Sequence, residues 1–242
     1  MMKKKRGFSY IGHKAQRYRK GKIILTILAF VLLYVALTSV FFSVVVLEND
    51  SMAENLKAGE RFIFLSYNFR SLIPGFDLQR EQSSLRRGNV VKVEMFREQR
   101  PGVFLSVLDG VARFVTLQRV SIIDQREHLF VKRVIALPGD EISMTGFVAR
   151  VMVKGSSYNL TEFEVTEADY TPLIPSLPLL WDTSLPFSGN LNAIVLGDNE
   201  FFLLSDDRSY TNDSRTWGPV PVRNITGRAL FRYWPLNRIG RV

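Results

Sequence analysis

The chain has no cysteine, and only two histidines, His13 and His128, in 242 residues. Disulfides, thiol nucleophiles, cysteine zinc sites and iron–sulfur clusters are thereby excluded. Two distant histidines are too few for a His-rich metal site, and no metal or organic cofactor is expected. Acidic residues are missing from the first 22 positions, which hold nine Lys and Arg. The remaining residues carry 23 bases and 23 acids, so the formal charge of +9 belongs to a tail. A domain with a basic face for nucleic acid is therefore not expected. A phosphate-cradling Walker loop is also missing.

Charge is absent again over residues 23–47, IILTILAFVLLYVALTSVFFSVVVL. As a helix these 25 residues would extend about 37 Å, enough to cross a lipid bilayer with some tilt. The run is too long for the apolar part of a cleaved signal peptide, and no small-x-small site ends it at Val46-Leu47-Glu48. Thr26, Thr38, Ser39 and Ser43 are too mild to form the polar stripe of a buried soluble helix. Nine bases precede the run, and Glu48 and Asp50 follow it. The positive-inside rule then places residues 1–22 in the cytoplasm, a single-pass anchor at 23–47 and residues 48–242 outside the cytoplasmic membrane.

Those outer residues read as mainly antiparallel β. Short stretches rich in Val, Ile and Phe recur at 61–65, 90–94, 129–137, 147–153, 193–196, 201–204 and 227–233. Gly, Pro, Asn and Asp punctuate them, as in Pro138-Gly139-Asp140 and Gly197-Asp198-Asn199. An apolar stripe at helical spacing, Phe104, Val107, Leu108, Val111, Phe114 and Val115, predicts a helix within 103–119, either in the core or on the membrane surface. Phe62 and Phe64 alternate along a strand near the anchor, and fit either the core or the bilayer interface. Trp217 and Trp234 are expected in the core. Residues 171–189 hold four prolines and read as an extended surface loop. A smaller inserted subdomain or loop is expected at about 145–196.

With thiols, metal ligands and most histidines excluded, nucleophilic chemistry falls to Ser or Thr. A neutral lysine can activate either hydroxyl, and burial lowers a lysine's pKa from its usual ~10.4 by up to several units. Ser51 follows the apolar run by three residues, so a nucleophile there acts at a membrane surface. Lys132 lies in an apolar strand, on one face with Phe130, Val134 and Ala136. Arg133 points to the other face and keeps its charge, so it cannot be the base.

Four ordered blocks carry a resemblance. Asp50-Ser-Met-Ala-Glu-Asn-Leu-Lys-Ala-Gly59 resembles the nucleophile box of bacterial type I signal peptidases, the membrane-anchored Ser/Lys proteases that remove signal peptides. Arg87-Gly-Asn-Val-Val-Lys-Val93 is similar to their R-G-D-V-V strand. Val131-Lys-Arg-Val-Ile-Ala-Leu-Pro-Gly-Asp140 resembles their K-R-V-I-G-L-P-G-D box. Residues 205–218, with Asp213-Ser-Arg-Thr-Trp-Gly218, resemble their last box. The resemblance implies a signal-peptidase fold, Ser51 as nucleophile and Lys132 as general base. It implies that Thr211 hydrogen-bonds the lysine, that Asp213 and Arg215 form a supporting pair with Asp206 beside it, and that Met52 lines the substrate cleft. The Ser51 N–H would hold the oxyanion. Its implied partners are exported precursor proteins and the lipid bilayer.

The blocks also depart from the family. Asn49 replaces the usual Ser or Gly and could supply a second oxyanion donor. Glu54-Asn55 replaces Pro-Thr, and Ser205-Asp206-Asp207 replaces Gly-Asp-Asn. These departures leave room for a second class of function, a non-catalytic binding or assembly subunit on the same fold. Cleavage that depends on Ser51 and Lys132 separates the two.

Overall fold

The computed structural model describes residues 10–67, 84–95, 105, 108–109, 112, 129–166, 169–176 and 189–242. His128 and nearly all of the expected 103–119 helix lie outside them.

Helix α1 runs Tyr10–Val40. Its side chains are described over 18–34, where Leu25, Leu28, Phe30 and Leu33 are all exposed. Among the described residues no helix is long and apolar enough to cross a membrane. The expected 23–47 span is corrected at its end. The helix stops at Val40, and β1 (Phe42–Val46) pairs antiparallel with β2 (Arg61–Ser66). The cause is local: Val44, Val45 and Val46 are β-branched, and a β-branched run packs better on a pleated sheet than on a helix.

The strands that follow are β3 (Val90–Glu94), β4 (Leu129–Ala136), β5 (Glu141–Thr145), β6 (Val148–Met152) and β7 (Asn159–Thr161). After the short helix α2 (Glu162–Val165) come β8 (Leu191–Val195) and β9 (Glu200–Leu204). Helix α3 (Ser214–Trp217) precedes β10 (Val220–Pro221), β11 (Ile225–Trp234) and β12 (Gly240–Arg241). The main sheet has the order β1-β2-β11-β3-β4-β9-β10, with β12 on β11. A second sheet has the order β7-β6-β5-β8. All these ladders are antiparallel. The second sheet begins at Glu141, a little before the 145 expected for the insertion.

Sequence pattern explains each strand's position. In β2, Phe62, Phe64 and Ser66 are buried and their neighbours are not, as alternation along an edge-side strand requires. In β4 every residue from Val131 to Ala136 is buried, as in a strand covered on both faces. One apolar cluster gathers Val45, Leu47, Met52, Leu56, Phe62, Phe64, Val90, Val131 and Ala229. Phe62 and Phe64 thus settle as core. A second cluster, including Ile135, Ile142, Val151, Tyr170 and Phe202, joins the two sheets. Trp217 packs at the edge of a third, its ring 5.0 Å from that of Phe130. Trp234 is 48% exposed and is not core.

Candidate active site

Ser51 sits in a loop that leaves the sheet at Leu47 and returns at Glu60. Its neck is closed by Leu47 N–H to the Glu60 carbonyl (3.0 Å) and Gly59 N–H to the Leu47 carbonyl (2.8 Å). Gly59 adopts φ +81°, which a side chain would resist. Within the loop Leu56 N–H bonds the Met52 carbonyl at 2.8 Å, and Ala58 N–H bonds Asp50 Oδ1 at 3.0 Å. Met52 is fully buried in the apolar cluster below, so it anchors the loop from beneath.

Lys132 is carried by β4 and is 3% exposed. Its Nζ donates to Ser205 Oγ at 2.8 Å. The same short segment holds Ser51, because Asp207 N–H donates to the Ser51 carbonyl at 3.0 Å. The segment that follows β9 thus touches both residues of the expected dyad. Ser51 is 5% exposed, and its Oγ makes no hydrogen bond among the described residues.

Burial draws the Lys132 ammonium down from 10.5 to about 8. Asp213 opposes that fall, Arg215 adds to it, and Asp206 opposes it. Carrying the charged form costs the fold about 3 kcal/mol below pH 8. The sign follows from proton binding. Between pH 8 and 10.5 the unfolded chain binds the proton and the folded chain does not, so stability rises with pH in that window. Lys132→Met should therefore stabilise the fold by about 2 kcal/mol at pH 7, after loss of the Ser205 bond, with the gain gone by about pH 10. Urea unfolding at pH 6, 7 and 10 checks this; an equal gain at all three would refute the cause.

The supporting carboxylates are fully buried. Arg133 clasps Asp206 through Nε (2.7 Å) and Nη2 (2.5 Å), and donates Nη1 to the Gly88 carbonyl at 2.8 Å. Asp213 caps α3 and accepts from Arg215 Nε at 2.9 Å, Arg215 Nη2 at 2.7 Å and Ser205 N–H at 2.9 Å. Burial pulls the Asp213 carboxyl up, but these bonds overcome it and hold it below the usual carboxylate range. Asp213 thereby fixes the backbone of the serine that meets the lysine. Arg87 of the second block pairs with Asp140 of the third at 2.6 Å, tying the turns at both ends of that region.

Two expectations change. The lysine's hydroxyl partner is Ser205, not Thr211. Thr211 uses its carbonyl, which accepts from Asp213 N–H and Thr216 Oγ1, and its hydroxyl makes no hydrogen bond among the described residues. Ser205 directly continues β9, which is laddered to β4, so the register delivers it to Lys132. Asn49 is oriented as an acceptor: its Oδ1 receives the Ser51 N–H at 3.1 Å. A backbone N–H can only donate, so the amide turns its oxygen to it. Asn55 is a site residue that spacing did not flag; its Nδ2 donates to Asp206 Oδ2 at 2.9 Å.

A family model described as "Signal peptidase, peptidase S26" matches residues 20–234. The chain belongs to that family. Among curated relatives it is 34% identical over 113 residues to "Signal peptidase I" of Leptolyngbya laminosa, covering 47% of this chain and 45% of the relative. To "Probable signal peptidase I-1" of Synechocystis sp. it is 34% identical over 114 residues, covering 47% and 46%. To "Signal peptidase I" of Streptococcus pneumoniae (strain ATCC BAA-255 / R6) it is 30% identical over 129 residues, covering 46% and 63%. The chain spans about half the length of the first two relatives. Ser51, Lys132, Ser205 and Asp213 all fall within the stretch that matches the S26 family.

Proposed function

We propose that the protein is a serine endopeptidase that removes signal peptides from exported precursors, with Ser51 as nucleophile and Lys132 as general base. The observation that carries this reading is Lys132. It is buried, bonded to a neutral hydroxyl rather than to a carboxylate, and its pKa is drawn to about 8. A lysine so placed is partly neutral near pH 8, and its lone pair can take a proton. Donation of one N–H to Ser205 fixes the amine, which leaves the lone pair free for Ser51 Oγ.

In this mechanism Ser51 Oγ loses its proton to Lys132 Nζ as it attacks the scissile carbonyl. The carbonyl carbon becomes tetrahedral and its oxygen takes the charge. The C–N bond then breaks, and Lys132 returns the proton to the departing amine. A water, deprotonated by Lys132 in turn, attacks the acyl carbon; the bond to Ser51 Oγ breaks, and Lys132 returns the proton to Ser51 Oγ. The Ser51 N–H is the nearest oxyanion donor, and Asn49 must release it for that role.

Two strand edges support binding of an extended substrate. Among the described residues, β1 pairs only with β2, and Leu129–Lys132 of β4 pairs only with β3. Both edges border the cluster that holds Val45, Met52 and Val131. A precursor segment added there as a strand would lie beside Ser51. Small side chains, Ala above all, would suit the first and third positions before the bond.

The apolar part of α1, 23–40, is about 27 Å long at 1.5 Å per residue and, apart from half-buried Val31, is exposed where its side chains are described. The charge-free run extends past the described side chains of α1, and on that sequence pattern and its flanking charges we infer a single-pass anchor in the cytoplasmic membrane, with the basic tail in the cytoplasm and the β domain outside. β1 begins two residues after α1 ends, which would hold the site at the bilayer surface. Shared anchoring then raises the effective concentration of tethered precursor.

The test is cleavage of a membrane-tethered precursor by the purified, detergent-solubilised protein, beside Ser51→Ala. A single cut at the small-x-small site, lost in the folded Ser51→Ala variant, is the expected result. An undiminished cut in that variant would overturn the assignment.

A further inference from the structure

The inserted region sends one segment back to the site. Tyr170 is buried, with its hydroxyl donating to Glu162 Oε2 at 2.6 Å and its ring 4.1 Å beneath the Arg133 guanidinium. Glu162 is itself fully buried and paired with Arg208. The chain then passes Thr171, whose carbonyl accepts from Asn55 Nδ2 at 3.0 Å and whose N–H donates to Asn55 Oδ1 at 3.4 Å. Leu173 N–H donates to the Asp206 carbonyl at 2.8 Å, and Arg208 N–H donates to the Leu173 carbonyl at 2.9 Å. Leu173 and Asp207 thus form a parallel bridge, and Asp207 N–H holds the Ser51 carbonyl.

The strap is fixed to the loop of the nucleophile and to the segment that meets the lysine. Yet it presents apolar side chains to solvent. Leu173 is 41% exposed and Ile174 42%, while Tyr170 and Pro172 turn inward. Tyr210, joined to Asp207 by its N–H at 3.2 Å, adds a third exposed apolar group at 39%. Scattered exposed apolar residues need no explanation, but these sit on a backbone pinned within one ladder step of Ser51.

We propose that the strap Tyr170–Ile174 forms a wall of the cleavage site, where Leu173 and Ile174 select apolar side chains of the precursor near the scissile bond. The inference rests on the peptidase reading above and adds a specificity element supplied by the inserted region. Apolar contacts of this size discriminate by about 10- to 200-fold.

The test uses full-length protein and a panel of precursors carrying Leu or Glu at one position on either side of the bond. For the wild type, the Leu:Glu ratio of kcat/KM should exceed one at some position. In Leu173→Glu with Ile174→Glu, that ratio should fall there by about tenfold and stay the same elsewhere. Ratios unchanged at every position would overturn the proposal. A photo-crosslinker at position 173 in Ser51→Ala protein gives a second readout that needs no turnover. Crosslinks to precursor residues flanking the bond are expected, and their absence would also overturn it. A wild type that cleaves no member of the panel would instead overturn the peptidase reading beneath it.

Discussion

Lys132→Arg should lower precursor cleavage by about 10³-fold or more. A guanidinium stays charged at every accessible pH, so it can neither accept the Ser51 proton nor return one to the leaving amine. The wild type should behave otherwise. With the ammonium drawn to about 8, largely by burial, the neutral fraction rises tenfold per pH step below 8 and levels off above it. Single-turnover cleavage should therefore climb with a slope near one from pH 5 to 7 and flatten above about 8. The measurement is a pH–rate profile on wild type and variant, with circular dichroism to establish that the Arg variant is folded. A wild-type rate independent of pH, or an active Arg variant, would remove Lys132 from the role of base.

Why Lys132 stood out in the sequence while its partner did not is a question of which signals are local. A lysine within Phe130–Leu137 breaks an apolar run, and such a break is visible without a structure. Ser51 is marked by its nearness to the charge-free apolar run. The choice between Ser205 and Thr211 depends on the path of β9, whose continuation at Ser205 lies 73 residues from Lys132 in sequence. Only the ladder between β4 and β9 decides it. The sense of Asn49 is similarly hidden, since an Asn side chain can donate or accept and its backbone neighbour decides.

The strands divide the same way. β2 was legible from alternation, and β4 from an apolar run with Val131, Val134 and Ile135 around its two cations. β1 was not, because Phe42–Val46 extends the apolar stretch of α1 without a break, and hydropathy cannot separate an apolar helix from an apolar strand. The three consecutive valines carried the missing information as β-propensity. β5, Glu141–Thr145, buries only Ile142 and Met144, too little alternation to detect over five residues. Its pairing with β6 and β8, set by the turn at Gly146-Phe147, defines it.

Ser205→Ala should cost about 30-fold in kcat, whereas Thr211→Ala should stay within about twofold. The Ser205 hydroxyl is the one side-chain group hydrogen-bonded to Lys132 Nζ among the described residues, and in the proposed mechanism it positions the amine for Ser51. A hydrogen bond to an ionisable group contributes about 2 kcal/mol, which corresponds to roughly 30-fold in rate. Removing the hydroxyl also removes an acceptor for the ammonium, so the pKa of Lys132 should fall further and the pH–rate profile should move to lower pH. That shift separates a positioning role from simple loss of fold, which would lower the rate at all pH values alike. Ser205→Thr restores a hydroxyl and should recover most of the rate. KM should change little, because Ser205 is fully buried and its hydroxyl is engaged with the lysine. If Thr211→Ala proved the more damaging change, or if the profile of Ser205→Ala kept its midpoint, Ser205 would lose its place as the residue that positions Lys132.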